Sequence, residues 1–259
     1  NTLVSVLAAY SIFIQSFSLY CFVNFFLGMG MAFTHQYRFA AAESVNKDKV
    51  PRAISIILLG GIVSAFIGPS VANFSKDMFS NHMYVGSYLS LAALTFLPTI
   101  FFLFYKNTSK IEISVKYSGR SYLELVSQPK FLQAVISSAF GYAIMTFLMT
   151  GTPLSMHVIE GISLNKTSIV IQIHVACMFL PSLVAGNLVK KIGHSKMMYV
   201  GVSLYCITVI ISLFDQSFIN YMVSLIFLGF GWNFLFISGT SLLVLTYNEE
   251  EKFRAQGFN

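Results

Sequence analysis

The chain has 259 residues, of which 56% are hydrophobic and only 10% are charged, and its mean hydropathy is +0.72. Soluble domains carry roughly 25% charged residues, so this composition excludes an ordinary water-soluble globule and makes lipid the main solvent. A net charge of +6 would suit an anionic partner, but the basic residues are placed as in a membrane protein, and no nucleic-acid partner is expected.

Apolar runs of about twenty residues predict membrane helices. They fall at 1–14, 17–42, 52–74, 83–105, 130–150, 167–189, 196–214 and 219–246. None alternates as a barrel strand would, and hydrocarbon tolerates only backbone whose hydrogen bonds are closed, so all eight are read as helices. Between the fourth and fifth spans, 106–129 is the longest polar stretch, and its end, 119–129, is read as a short surface helix through Leu123, Leu125 and Val126. Pro153 is expected to end or kink the fifth span. Cys21, Cys177 and Cys206 lie inside apolar runs without a paired pattern and are read as buried free thiols. The sequons at Asn73, Asn107 and Asn165 carry little weight.

The basic residues set the sidedness. Arg38, Lys47, Lys49 and Arg52 lie between spans 2 and 3, and Lys106, Lys110, Lys116, Arg120 and Lys130 between spans 4 and 5. Lys190, Lys191 and Lys196 follow span 6, and Lys252 and Arg254 follow span 8. Only Lys76 and Lys166 of the 16 fall at the opposite ends. Positive charge collects on the cytoplasmic side, so the four basic junctions are expected there.

The frame Phe-Leu-Gly-x-Gly-x-x-Phe occurs twice. Phe26–Phe33, with Gly28 and Gly30, recurs 201 positions later as Phe227–Phe234, with Gly229 and Gly231. Asn46 with Arg52-Ala53 recurs 202 positions later as Asn248 with Arg254-Ala255. Two matches in register, each where an apolar run gives way to charge, predict a duplicated membrane unit with parallel repeats. Six spans separate the copies, so a duplicated unit would hold twelve, and eight are visible. The chain is therefore expected to lack about two helices at each end. The expected organisation is an N-terminal half over 1–105, a cytoplasmic linker over 106–129, and a C-terminal half over 130–259.

Three local motifs carry a resemblance. Gly186-Asn187-Leu188-Val189-Lys190-Lys191-Ile192-Gly193-His194-Ser195-Lys196 resembles the loop motif Gly-x-x-x-Asp-Arg-x-Gly-Arg-Lys of the major facilitator superfamily. Gly186 and Gly193 would permit a tight turn, and Lys190 stands where that family has an acid. Ser55, Ser64, Gly68-Pro69 and Ala72, with Gly60-Gly61 nearby, resemble the small-residue motif of the family's fifth helix; helix packing alone is the alternative reading. Asn24 stands where the family's proton antiporters often carry an arginine. Tyr37–Glu43 and Gly229–Phe234 are similar to an uncharacterised bacterial branch. The resemblance implies an all-α membrane protein, a helical bundle of two pseudo-symmetric six-helix halves around a cavity, here as the third to tenth helices and the start of the eleventh.

Candidate site residues follow from stripes on the spans. On span 2, Asn24, Gly28, Met31, His35 and Arg38 share one face. An ionisable residue within or near the membrane is a functional candidate; the alternatives are a packing histidine and a snorkelling arginine. On span 5, Tyr142, Thr146 and Thr150 share a face. On span 6, His174 can titrate near neutral pH, or bond a neighbouring helix. On span 8, the lone tryptophan Trp232 sits mid-span beside Asn233, and it either stacks on a solute or packs the core. A substrate cavity is expected to gather Asn24, His35, Arg38, Tyr142, Thr146, Thr150, His174, Trp232 and Asn233. Packing or gating is assigned to Gly28, Gly30, Arg52, Gly60, Gly61, Gly68, Pro69, Gly186, Lys190, Lys191, Gly193, Gly229, Gly231 and Arg254.

All ten acidic residues lie in loops or at span ends, and no hydrolytic, redox or metal-spaced constellation occurs. No enzyme activity, cofactor or metal is expected. The resemblance implies a monomeric inner-membrane transporter that moves a small organic solute by alternating access, coupled to protons. The rival reading is a non-transporting receptor or assembly protein on the same scaffold.

Overall fold

The computed structural model describes residues 1–104 and 119–258. Lys106, Lys110, Lys116, the Asn107 sequon and the expected linker up to residue 118 lie outside the described residues.

Every regular element among the described residues is helical. They are α1 Thr2–Phe13, α2 Phe17–His35, α3 Tyr37–Glu43, α4 Val50–Ser75, α5 Val85–Leu103, α6 Tyr122–Val126, α7 Pro129–Leu154, α8 Leu164–Phe179, α9 Ser182–Ile192, α10 His194–Ser212, α11 Phe218–Val244 and α12 Lys252–Gln256. Six stretches are long and apolar enough to cross a membrane: Phe17–Glu43, Lys47–Ser75, Pro129–Ile159, Leu164–Ile192, His194–Ser212 and Phe218–Val244. Two expected spans, Thr2–Phe13 and Val85–Ile100, are apolar but shorter. The outward faces carry large apolar side chains, such as Phe74 at 90% exposure, which suit hydrocarbon and not water.

As expected at Pro153, the α-helical pattern of α7 stops at Leu154 and gives way to a π turn over Ser155–Ile159. Two expectations need correction. Cys21 and Cys206 are exposed, and only Cys177 is partly covered; a thiol is apolar enough to face lipid. Gly186 lies inside α9 and makes no turn. A methyl there would sit 2.8 Å from Ser55 Oγ and 2.9 Å from Arg52 Cα, so this glycine lets α9 approach α4. The turn belongs to Gly193, at φ +87°, where L side chains are strained.

The chain divides into two compact units. The first holds Asn1–Tyr37 and the described part of Ile67–Lys116. There the small residues Ser5, Ala8, Ala9 and Ser11 form the buried face of α1, and small residues permit close helix contact. Thr2 and Thr95 share a 3.3 Å hydroxyl contact between α1 and α5, and Tyr20 and Tyr88 share one of 2.7 Å between α2 and α5.

The second unit holds Arg38–Phe66 and the described residues from Gly119 onward. Its centre is α11, where 67% of the most apolar stretch is buried. Glycines make this possible. A methyl at Gly229 would lie 2.9 Å from the His174 carbonyl on α8, and one at Gly231 would lie 3.0 Å from the Gly201 carbonyl on α10. One at Gly239 would meet Ser138 on α7. Hydroxyls complete the packing: Ser137 Oγ donates to Leu235 O at 3.1 Å, and Thr208 Oγ1 to Ser224 O at 3.1 Å.

The end of this unit that carries basic residues is closed by ions. The Glu251 side chain, only 2% exposed, accepts from Arg120 Nε at 2.7 Å and Nη2 at 2.6 Å, and from the Asn248 N–H at 3.0 Å. Arg254 Nη1 donates to Arg120 O at 3.1 Å. Lys252 and Gln256 of α12 donate to Glu43 at the end of α3, at 3.2 and 2.7 Å. Lys190, which stands where the resembled loop motif has an acid, reaches Asp48 Oδ2 at 3.5 Å. Both partners are exposed, and such pairs contribute about 0–1 kcal/mol. The short helix read from 119–129 is present as α6, started by a Ser121/Glu124 capping box.

Two measurements check this packing. Gly229→Val should destabilise the protein by about 1–3 kcal/mol in thermal unfolding, by forcing α8 and α11 apart; unchanged stability would refute the close approach. The Arg120 hydrogen bonds, more than burial opposes them, hold the Glu251 carboxyl at about 2 instead of 4.5. A depressed acid stabilises above its unfolded pKa, and that stability is lost as pH falls from 4.5 towards 2. Glu251→Gln should therefore cost about 1–2 kcal/mol at pH 7, and the difference from wild type should shrink below pH 4.5. A constant difference down to pH 3 would contradict the ion pair.

Candidate functional site

Aromatic rings gather around the middle of α11. Trp232 is 2% exposed and stacks on Phe236 one turn on, with centroids 4.6 Å apart at 19°. Tyr142 of α7 meets the indole edge-on at 6.2 Å, and Phe179 of α8 does so at 5.7 Å. These are the separations at which ring quadrupoles attract. Arg38 of α3, 4% exposed, places its guanidinium 4.3 Å over Phe236 and 4.8 Å over Phe39. The aromatic faces offset part of the cost of burying this cation. Arg38, Tyr142 and Trp232 are thus brought together, with Phe236 as their common neighbour.

The other candidates are placed differently. Asn233 donates from Nδ2 to Met178 O at 2.6 Å and to Ser182 Oγ at 2.7 Å. His174, fully buried, bonds Leu225 O through Nδ1 at 2.8 Å. Both side chains clamp α11 against the α8–α9 segment. Thr146 and Thr150 follow Tyr142 along α7 and are exposed. Asn24 donates to Tyr20 O at 2.8 Å within α2. Asn24 and the half-buried His35 belong to the first unit.

Among the packing residues, Gly30 abuts Asn1, Gly61 abuts the Phe179 ring, and Gly28, Gly60 and Gly68 have nothing within 4 Å among the described residues. Pro69 lies within α4, Lys191 in the last turn of α9, and Arg52 in the first turn of α4.

Several buried polar atoms in the second unit have no hydrogen-bond partner among the described residues. They include Trp232 Nε1, Asn233 Oδ1 and His174 Nε2. An unmet buried donor costs about 1–3 kcal/mol, so each such group calls for an explanation. For Trp232 the indole N–H is buried within the ring cluster. Among the described residues no three His, Cys, Asp or Glu side chains group as a metal site would require.

Two contributors escaped the sequence reading. Phe179 is one of 26 phenylalanines and carries no distinguishing signal. Glu251 had one: Asn248-x-x-Glu251 is a capping-box spacing, and the structure forms that box.

Known proteins place the chain among its relatives. The profile described as Major Facilitator Superfamily matches residues 2–259. The chain is 35% identical over 256 residues to the riboflavin transporter RfnT of Brucella anthropi, covering 98% of this chain and 64% of that protein. It is 26% identical over 248 residues to the uncharacterized MFS-type transporter YddS of Bacillus subtilis, covering 89% of this chain and 56% of the relative. It is 28% identical over 247 residues to the uncharacterized MFS-type transporter YdeG of the same species, covering 89% and 57%. The chain spans less than two thirds of the length of each of these relatives. With six long apolar helices and two shorter ones among the described residues, and a family match along nearly its whole length, this chain is a multi-pass membrane protein and belongs to the Major Facilitator Superfamily.

Proposed function

We propose that the protein is a secondary active transporter that moves a small planar heteroaromatic solute, of the riboflavin kind, across the inner membrane. The observation that carries this reading is the 35% identity to a riboflavin transporter along 98% of the chain. The ring cluster at Trp232 supports the solute class. A flat heteroaromatic solute exposes two π faces and carbonyl groups at its edge. Trp232 and Tyr142 would take the face, and the unmet indole N–H would donate to an edge carbonyl. The site as proposed also includes Arg38, Thr146, Thr150, His174 and Asn233.

Alternating access would operate by rocking of two pseudo-symmetric halves, 1–105 and 130–259, about this site. The two copies of the repeat support such halves by their local structure. Each has a long helix, an asparagine cap (Asn46, Asn248), a 3-10 turn and a new helix with an arginine near its start (Arg52, Arg254). Trp232 is closed over by its neighbours here, so solute entry would require the rings to part. The basic junctions would face the cytoplasm, protons would supply the driving force, and the transporter would act as a monomer without cofactor or metal.

Two experiments test the reading. Riboflavin flux should be measured in proteoliposomes made with the complete protein. Trp232→Ala and Tyr142→Ala should each lower flux about tenfold, as expected for the loss of one stacking ring, at normal membrane abundance. Normal flux in both variants would refute the site. For topology, single cysteines at Lys190, Ser80 and Gly161 in a cysteine-free background should be probed in intact cells with an impermeant thiol reagent. Positions 80 and 161 should label and position 190 should not; the reverse pattern would invert the orientation.

A further inference from the structure

The first unit contains an aromatic cleft, far in sequence from Trp232 and formed by different helices. It has a volume of about 580 Å³ and lies where the turn between α1 and α2 meets the segment before α5. Small-molecule sites usually run from about 300 to 1,000 Å³. Phe17, Tyr20, Tyr84 and Tyr88 turn towards it, and none of its lining residues is charged. The Tyr20 and Tyr88 rings meet edge-on at 6.0 Å, and their hydroxyls are 2.7 Å apart, so these two rings are held as a fixed wall. The exposed Gln15 amide and the Ser16 hydroxyl supply polar groups at the rim.

The backbone singles out the same place. Only two non-glycine residues among the described ones have positive φ, Gln15 at 55° and Tyr84 at 72°, and both line this cleft. A bulky residue such as tyrosine seldom occupies that region, where glycine is at ease. Strain of this kind persists where surrounding structure holds it, and it concentrates at binding sites. Here it presents the Tyr84 ring, 46% exposed, to the cleft. Tyr84 N–H donates to Lys76 O at 2.8 Å, which closes the 76–84 segment and fixes that presentation.

We infer that this cleft is a second binding site, which takes an uncharged planar aromatic solute between Tyr84 and the Tyr20–Tyr88 wall. Rings supply the stacking faces, the amide and hydroxyl meet polar edges, and the absence of charged lining disfavours ionic ligands. The cleft lies at the start of α2, and the basic junction follows the far end of that helix, so under the proposed topology the cleft loads from outside the cell. The inference rests on the proposed solute class only for its choice of probe.

The test uses the complete protein in lipid nanodiscs, titrated with riboflavin and with lumichrome, which keeps the flat ring system without the sugar-alcohol chain. Quenching of probe fluorescence reports stacking. Tyr84→Gly removes the ring and relieves the strained backbone, so the variant should fold at least as well as wild type. It should nevertheless weaken one binding event at least tenfold, and Tyr88→Ala should weaken the same event. Flavin mononucleotide, which adds a phosphate to riboflavin, should bind there at least tenfold more weakly. Wild-type quenching in both tyrosine variants, or no quenching by either neutral probe, would overturn the inference. Loss of an event in Tyr84→Gly, with none lost in Trp232→Ala, would uphold this cleft and sink the site at Trp232 instead.

Discussion

The close approach of α11 to α7, α8 and α10 is the constraint around which the second unit is built. Lipid offers helices no hydrophobic drive to associate, so close packing and interhelical hydrogen bonds must hold them. Gly229, Gly231 and Gly239 remove the side chains that would keep backbones apart. The room so gained is used by short polar groups: Asn233 reaches Met178 O, His174 reaches Leu225 O, and Tyr205 Oη donates to Gly141 O at 2.6 Å. With those bonds made, the rings of Trp232, Phe236, Tyr142 and Phe179 pack against one another. The aromatic cluster follows from the glycines, and the buried guanidinium of Arg38 is tolerated because that cluster offers it π faces.

The end with the basic residues obeys a different rule. Water is available there, and charges pair across short distances. Most of these pairs are open and individually weak. Glu251 is the exception, because it is covered and accepts from a guanidinium and two backbone N–H groups. It fastens residues 119–121 to the turn between α11 and α12, while Glu43 fastens the end of α3 to α12.

Much of the fold was legible in the sequence because lipid imposes a simple pattern. Among the described residues each long apolar run falls on a helix, though the run at 130–150 stops nine residues short of the stretch Pro129–Ile159 and two runs form helices too short to count as spans. What escaped depended on side chains meeting across helices. Gly186 was read as a turn residue, but Arg52 and Ser55 of α4 make it a packing residue. For His174 and Asn233, a one-dimensional stripe cannot reveal that carbonyls of neighbouring helices accept hydrogen bonds from their side chains. The nearness of Arg38 to Phe236 had no sequence signal, since the two are 198 positions apart.

The central claim is that a flat solute is held at Trp232. The most direct measurement is an experimental structure of the complete protein with riboflavin bound. The account predicts the ring system lying against Trp232 and Tyr142, with an edge carbonyl accepting from Trp232 Nε1. A bound riboflavin that leaves Trp232, Phe236 and Tyr142 packed on one another, and touches none of them, would contradict it.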